Sequence, residues 1–498
     1  MSYRLFTKRY ESFLEKLAMG TTGVKKALEV LRVQGHDPMP VEKGTMSFKV
    51  WTSFKIKRFR VPDLVCLKCG RRFEVRSKTK PEISMSHSQA DPEREWDYGL
   101  NDEDYIVFVI CQKQGSEPVK WRALEPLYFI SVKDMREKEK DAYLSIPKGR
   151  EEGFERRLIW PSKFALRDGV VLDVNKDSVK LRFDNGRKRK ISLDYKLKNE
   201  RTVKLKPLVK VGDRVVKNQA IASIVNITEQ VPCNKDVGVD YYIKLLTSSS
   251  RVDRFIAAKA LRRFNSDSAR EALKRKLQDP SEEKLILYEV AASLMELNDE
   301  NGKAYINSVI EKENPYQIHE VIISLCDVTP SKSFPIIKNI LGNTTLSESV
   351  RATAAWALGE LGLQEAFDVL VKTFDSMDVE VKKEAARALL QLCRKIQRPI
   401  SNKIFEEFKL SSSERREGLS WVIGKMLKDE KETYFRGILD LVIDEESKIW
   451  VSYILGIQDP EAFKGKEELI RKKDEKLYFA ANVLWVILRS WIWGLEEY

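Results

Sequence analysis

Asp63 and Glu74 are the only acids among twelve basic residues between positions 43 and 80: Lys43, Lys49, Lys55, Lys57, Arg58, Arg60, Lys68, Arg71, Arg72, Arg76, Lys78 and Lys80. Both fall on the arms of a predicted β-hairpin, 61–66 and 72–78, turned at Lys68, Cys69 and Gly70. With Lys68 and Cys69 as the loop, Asp63 faces Glu74 on one side of the ribbon, where Arg76 and Lys78 follow at period two. Opposed like charges destabilise a sheet, so positive charge is expected between them. It is either a divalent cation held by the carboxylates or the surrounding Arg and Lys side chains. In the first case Asp63 and Glu74 hold Mg²⁺, the ion activates water and offsets charge on a leaving oxygen, and Arg76 or Lys78 stabilises a scissile phosphate.

Pro62-Asp63 followed by Glu74-Val75-Arg76 resembles the PD-(D/E)xK nuclease family, in which a strand bearing Asp pairs with a strand bearing Glu-x-Lys around a catalytic metal. The order of predicted elements is similar: an amphipathic helix over 23–33, strands over 46–51, 56–65 and 73–78, and a buried strand over 105–110. The resemblance covers about the first quarter of the chain and implies a mixed α/β, restriction-endonuclease-like domain over residues 1–150. Arg76 departs from the family pattern. A guanidinium stays protonated and stabilises charge without serving as a base. Lys78, the candidate substitute, lies about 7 Å further along the strand.

The chain has 498 residues, too many for one core. It contains no apolar run of membrane-spanning length and no secretory leader pattern, so a cytoplasmic protein is expected. Six scattered cysteines make no disulfide framework. Residues 1–240 hold 49 basic against 34 acidic side chains, whereas residues 241–498 hold 39 against 41. The first half is therefore the candidate for polyanion contact, with nucleic acid as the partner and DNA ahead of RNA. Its candidate contact residues are Lys55, Lys57, Arg58, Arg60, Arg71, Arg72, Arg187, Lys188, Arg189 and Lys190.

The second half repeats. Segments 254–261, 351–358 and 382–389 share Ala, Ala and Leu at fixed places, with weaker copies at 285–292 and 318–325. Each is followed by a second apolar helix, as at 333–341 and 366–374, and a period near 31 residues with two helices per unit signals an α-solenoid. The pattern resembles HEAT repeats, with Arg254, Arg351 and Lys382 at the recurrent basic position. A solenoid over 241–498 implies an extended surface for a protein partner or nucleic acid. His319, without neighbours at ligand spacing, is expected to be a packed or surface side chain. The apolar segment 478–493 is expected to cap the array.

From 160 to 227 short alternating runs replace helical periodicity, and a small basic β-barrel is expected over 151–240. Asn185-Gly186 predicts a type I′ hairpin turn, with Arg187 to Lys190 just beyond its tip. Residues 206–222, with 167–171 before them, resemble the sandwich-barrel hybrid motif of the bacterial RNA polymerase beta subunit, Asn218 standing where that motif has Gly. The resemblance implies a fold and no polymerisation. No prosthetic-group lysine hairpin or phosphate-binding glycine loop is present.

Cys66-x-x-Cys69-Gly70 looks like one knuckle of a zinc ribbon, but one pair is half of a site. Cys111 and His87 are the residues considered for the other half, and the expectation is of two small apolar side chains at a turn rather than zinc ligands. His87 is a candidate for orienting phosphate or water, or for capping a turn. The acids at 91–97 and 102–104 receive no role. The whole reads as a multidomain α+β protein: a nucleic-acid-associated HEAT-repeat chain, either a Mg²⁺-dependent nuclease or a non-catalytic scaffold anchored by its basic half.

Overall fold

The computed structural model describes residues 3–41, 60–88, 91–115, 120–145, 155–197, 201–312, 314–396, 398–426 and 437–456, with Lys473 and Leu477. The expected strand at 46–51, the candidate contacts Lys55, Lys57 and Arg58, and the apolar segment 478–493 lie outside these residues. Two compact units divide the rest, one β-rich and running to Phe264, the other helical from Asn265.

In the β-rich unit a long helix, α1 (Tyr3–Val33), precedes a sheet of five strands. These are β1 (Pro38–Pro40), β2 (Leu64–Cys66), β3 (Arg72–Lys78), β5 (Tyr105–Lys113) and β6 (Trp121–Ser131), in that order across the sheet. The register of β2 on β3, Leu64 to Phe73 and Val65 to Arg72, carries one residue further to set Asp63 beside Glu74, as the two-residue loop requires. β3 and β5 run parallel.

The continuous apolar run of β5 is explained by burial on both faces. Val107 and Val109 pack with Ala27 and Leu31 of α1, while Ile106, Phe108 and Ile110 pack into a second core with Trp96 and Trp160. α1 approaches the sheet most closely at Gly23, where a Cβ would lie 2.0 Å from Ser77 Oγ and 3.5 Å from Val109 Cβ.

The second core continues into small antiparallel sheets. β4 (Ser84–Ser88) pairs with β8 (Glu155–Ile159), which also pairs with β7 (Tyr143–Ser145). Strands on either side of position 150 thus share one sheet. β9 (Ser162–Phe164) follows β8; β10 (Gly169–Val174), β11 (Ser178–Phe183), β12 (Lys188–Ser192) and β16 (Arg214–Val215) form another sheet, in the order β12-β11-β10-β16, and β13 (Asp194–Lys196), β14 (Thr202–Lys204) and β15 (Lys206–Pro207) lie between β12 and β16 in the chain. The hairpin between β11 and β12 is present, but its turn is not type I′. Gly186 has φ +78° and Asn185 does not share a positive φ. Gly186 N–H donates to Phe183 O at 2.9 Å, which makes a type I-like turn closed by a glycine bulge. Asn218 adopts φ 71°, so the position resembling a glycine site has glycine-like geometry. A short helix, α2 (Val132–Glu137), follows β6, and two more, α3 (Gly238–Leu245) and α4 (Arg251–Leu261), end the unit.

The helical unit alternates α5 (Asp267–Leu277), α6 (Lys284–Glu296), α7 (Glu300–Lys312), α8 (Pro315–Leu325), α9 (Pro330–Gly342), α10 (Glu348–Leu361), α11 (Ala366–Lys372), α12 (Val379–Ile396), α13 (Arg398–Leu410), α14 (Ser413–Met426) and α15 (Glu445–Gly456). Starts follow local chemistry. Ser266, Asn314 and Ser347 cap their helices through the side-chain oxygen, and Pro315 and Pro330 occupy first turns. The repeated segments 285–292, 318–325, 351–358 and 382–389 lie in α6, α8, α10 and α12, while 254–261 lies in α4 of the β-rich unit. No described helix is long and apolar enough to cross a membrane.

The contact at Gly23 leaves no room for a branched side chain between α1 and the sheet. Gly23→Val is expected to destabilise the β-rich unit by about 1–3 kcal/mol, read as a lower urea midpoint in equilibrium unfolding.

Candidate functional site

Asp63 and Glu74 hold one another's strands. Asp63 Oδ2 accepts the Val75 N–H at 2.7 Å, and the Glu74 carboxylate accepts the Asp63 N–H. Glu74 is 4% exposed, and the positive charge beside it comes from Arg60 Nη2 at 2.9 Å and Arg76 Nη2 at 2.5 Å. Burial pushes its pKa up, but the charges of Arg76 and Arg60 and donated hydrogen bonds outweigh that and hold the carboxyl ionised. The guanidiniums of Arg60 and Arg76 are one of the two sources of charge open to the sequence.

Lys78 follows on β3, half-buried, and donates to Ser84 Oγ at 2.9 Å; Ser84 in turn donates to Glu82 at 2.6 Å. Glu82 is also paired with Arg157. Burial first, then the charges of Arg157 and Arg76, pull the Lys78 ammonium down to about 8. His87 sits on β4 opposite Arg156, with Nδ1 buried and unpartnered among the described residues.

The candidate nucleic-acid contacts separate into two groups. Arg72 is 2% exposed, its guanidinium paired with Asp253 and donating to Gly99 O at 2.7 Å, so its expected role as a phosphate contact is corrected to a structural one. Arg60 serves Glu74 and Glu95 O, and Arg71 donates to Pro232 O at 3.0 Å. Arg187, Lys188, Arg189 and Lys190 are all exposed. The register sets Lys188 opposite Arg182 and Lys190 opposite Lys180, so four cations share one sheet face. Asp173 pairs with Lys180 at 3.1 Å, but no carboxylate pairs with Arg182, Lys188 or Lys190 among the described residues.

The acids left without a role are structural. Asp104 is buried and accepts the N–H groups of Arg72 and Asn101, each at 2.7 Å, and burial raises its carboxyl to about 6. Asp97 and Asp102 each hold Arg136 at 2.6 Å.

The thiol pair has partners that the sequence reading did not choose. His36, Cys66, Cys69 and Cys233 place their donor atoms within 4.8 Å of one another, whereas neither Cys111 nor His87 belongs to this group. Cys111 instead lies against Met19 O at 3.9 Å. His36 and Cys233 were missed because they carry no spacing signal. They stand 33 residues before Cys69 and 167 after Cys66.

In the helical unit, Arg351 Nε donates to Leu341 O at 3.1 Å and its Nη1 pairs with Asp378. Arg416 repeats this arrangement with Phe408 O at 3.1 Å and Asp444 at 3.0 Å. Arg416 was not among the aligned copies, although its place at the head of α14 matches theirs. His319 is buried, bonded to Thr353 Oγ1 at 2.8 Å, and held neutral by burial, which lowers it to about 4. It is a packed residue.

Residues 302–391 match the family model for HEAT repeats. Similar solved structures include the complex of CpcE and CpcF of phycocyanin lyase from Nostoc sp. PCC7120, at 16% identity over 49% of this chain and 96% of that one, with a TM-score of 0.23. Human deoxyhypusine hydroxylase in complex with glycerol shows 17% identity over 49% of this chain and 96% of that one, with a TM-score of 0.21. A designed armadillo repeat protein in complex with the peptide (KR)4 shows 19% identity over 44% of this chain and 99% of that one, with a TM-score of 0.18. No curated protein matches the chain. Residues 302–391 of the helical unit thus carry HEAT repeats.

Lys78 supplies a pH test of the site. Its folded value of about 8 lies below the ordinary lysine value of 10.5, so between these values the unfolded chain binds more protons and stability rises with pH. Below pH 8 the full burden of a buried ammonium is present. Lys78→Met is expected to raise the urea midpoint at pH 7 relative to wild type, and the difference should shrink as pH approaches 10.

Proposed function

We propose that this chain is a HEAT-repeat scaffold whose helical unit takes a protein partner and whose β-rich unit anchors it to nucleic acid, DNA ahead of RNA. The observation that carries the anchoring role is the exposed face of β11 and β12. Arg182 against Lys188, and Lys180 against Lys190, are directly opposed like charges, an arrangement that destabilises a sheet unless polyanion binding compensates. Phosphates would meet these side chains without base contacts, so binding is expected to be weakly sequence-dependent and strongly salt-dependent. For the protein partner, the supporting feature is the family match, since stacked helix pairs offer an extended surface.

A second reading, a Mg²⁺-dependent nuclease using Asp63 and Glu74 as metal ligands, draws support from the reciprocal seating of the two carboxylates on adjacent strands. Lys78 is then the group able to lose a proton near neutral pH, a role closed to Arg76. In this reading Arg60 and Arg76 yield part of Glu74 to the ion.

Both readings meet in one set of measurements on duplex DNA, single-stranded DNA and RNA. Replacing Arg182, Lys188 and Lys190 with Gln is expected to weaken binding and to lower the slope of log K against log salt by about 2–3 on duplex DNA. An unchanged slope would remove this face as the anchor. Nicking of plasmid with Mg²⁺ or Mn²⁺ that is lost in Glu74→Ala would establish the nuclease; intact substrate throughout leaves the scaffold.

A further inference from the structure

We propose that His36, Cys66, Cys69 and Cys233 form a structural zinc site in the β-rich unit, a role independent of the scaffold and nuclease readings. The four donors come from three separated stretches: His36 just beyond α1, Cys66 and Cys69 at the end of β2 and in its turn, and Cys233 in the segment leading to α3.

The turn has the form a metal knuckle needs. Cys69 N–H points at Cys66 Sγ, 3.4 Å away, and Gly70 N–H donates to Cys66 O at 2.8 Å. Gly70 adopts φ +75°, which lets the chain double back so that both sulfurs face inward.

Two of the donor separations match those around a tetrahedral ion, and all of them fall within 4.8 Å. Zinc bonds of about 2.3 Å to sulfur and about 2.0–2.1 Å to imidazole nitrogen require S···S near about 3.8 Å and N···S near about 3.6 Å. Cys66 Sγ to Cys233 Sγ is 3.9 Å, and His36 Nδ1 to Cys69 Sγ is 3.5 Å. His36 is also oriented for ligation. Its Nε2 lies 2.7 Å from Val231 O, and a carbonyl only accepts, so the proton sits on Nε2 and the Nδ1 lone pair faces the sulfurs. This is the outer hydrogen bond that fixes a metal-binding imidazole.

Three thiolates and one imidazole select zinc over Mg²⁺ or Ca²⁺, and four protein ligands leave no coordination position open for catalysis. Binding displaces the thiol protons to solvent. The ion would tie the end of α1 to the β2–β3 turn and to the approach to α3. The same turn is held from the α3 side by Val237 N–H on Lys68 O at 2.8 Å and by Tyr242 Oη on Cys66 O at 3.0 Å.

The test is metal analysis of the full chain, purified under reducing conditions without chelator. About one zinc per chain is expected, retained in Cys111→Ser and lost in Cys233→Ser and His36→Gln. Because those losses could follow from misfolding, cobalt is substituted into wild type and Cys233→His. Wild type should show tetrahedral d–d bands with strong thiolate-to-cobalt charge transfer, and Cys233→His should stay tetrahedral with charge transfer reduced by about one third, as two thiolates replace three. Wild type without zinc and without a tetrahedral cobalt spectrum, a Cys66–Cys233 or Cys66–Cys69 disulfide in its place, or a cobalt spectrum unchanged by Cys233→His would overturn the proposal.

Discussion

Strand β3 is covered on both faces yet carries Arg72 and Glu74, and a charge removed from water must meet a partner or destabilise the fold. Much of the β-rich unit near this strand is arranged by that requirement. Arg60 and Arg76 close on Glu74 from the chain before β2 and from β3 itself. Asp253, at the start of α4, meets Arg72, while Asp104 takes the Arg72 N–H at the head of the strand. The segment before β2, the loop before β5 and helix α4 are thereby fixed to one strand by two buried charges. Removing either partner would leave its mate uncompensated, a larger penalty than the pair itself contributes.

The helical unit meets the same demand with different geometry. Arg351 and Arg416 are 8% and 6% exposed, and each divides its guanidinium between a carbonyl at the end of the preceding helix and an aspartate further along. The carbonyl is one that helix ends leave unsatisfied, so one side chain caps a helix and ties successive segments together. The small residues beside Arg351, namely Ala354, Ala355 and Ala357, are fully buried and let the helices approach. A recurrent basic residue in an apolar repeat is thus a packing element, and recurrence alone says little about ligand binding.

What was legible in the sequence depended on how local the cause was. The register of β2 on β3 follows from a two-residue loop, and the repeat follows from its period, so both were readable. The partners of buried charges were not, because Arg72 finds Asp253 181 residues later. The thiol pair showed only the half of its cluster that lies within one turn. At the 183–187 turn the local signal was present but ambiguous, since Asn-Gly suits a turn with two positive φ values as well as one with a single positive φ at Gly. The boundary expected at 150 rested on a change of periodicity, and the pairing of β4 with β8 crosses it.

Charge runs show most clearly why sequence counts mislead about surfaces. Arg72 opens a strand whose next residues, Phe73, Glu74 and Val75, are buried, and whose neighbour β5 is apolar throughout its centre. A cation there is drawn into the structure and neutralised. On β12 the sequence Lys188-Arg189-Lys190-Ile191-Ser192 offers one buried apolar residue, Ile191, so little holds the preceding cations against the core. They remain solvated, and the register stacks them against cations of β11. Two basic clusters that look alike by composition therefore divide according to whether the strand beneath them is covered on two faces or one. That distinction, rather than the net charge of +13, determines which cations are available to a polyanion.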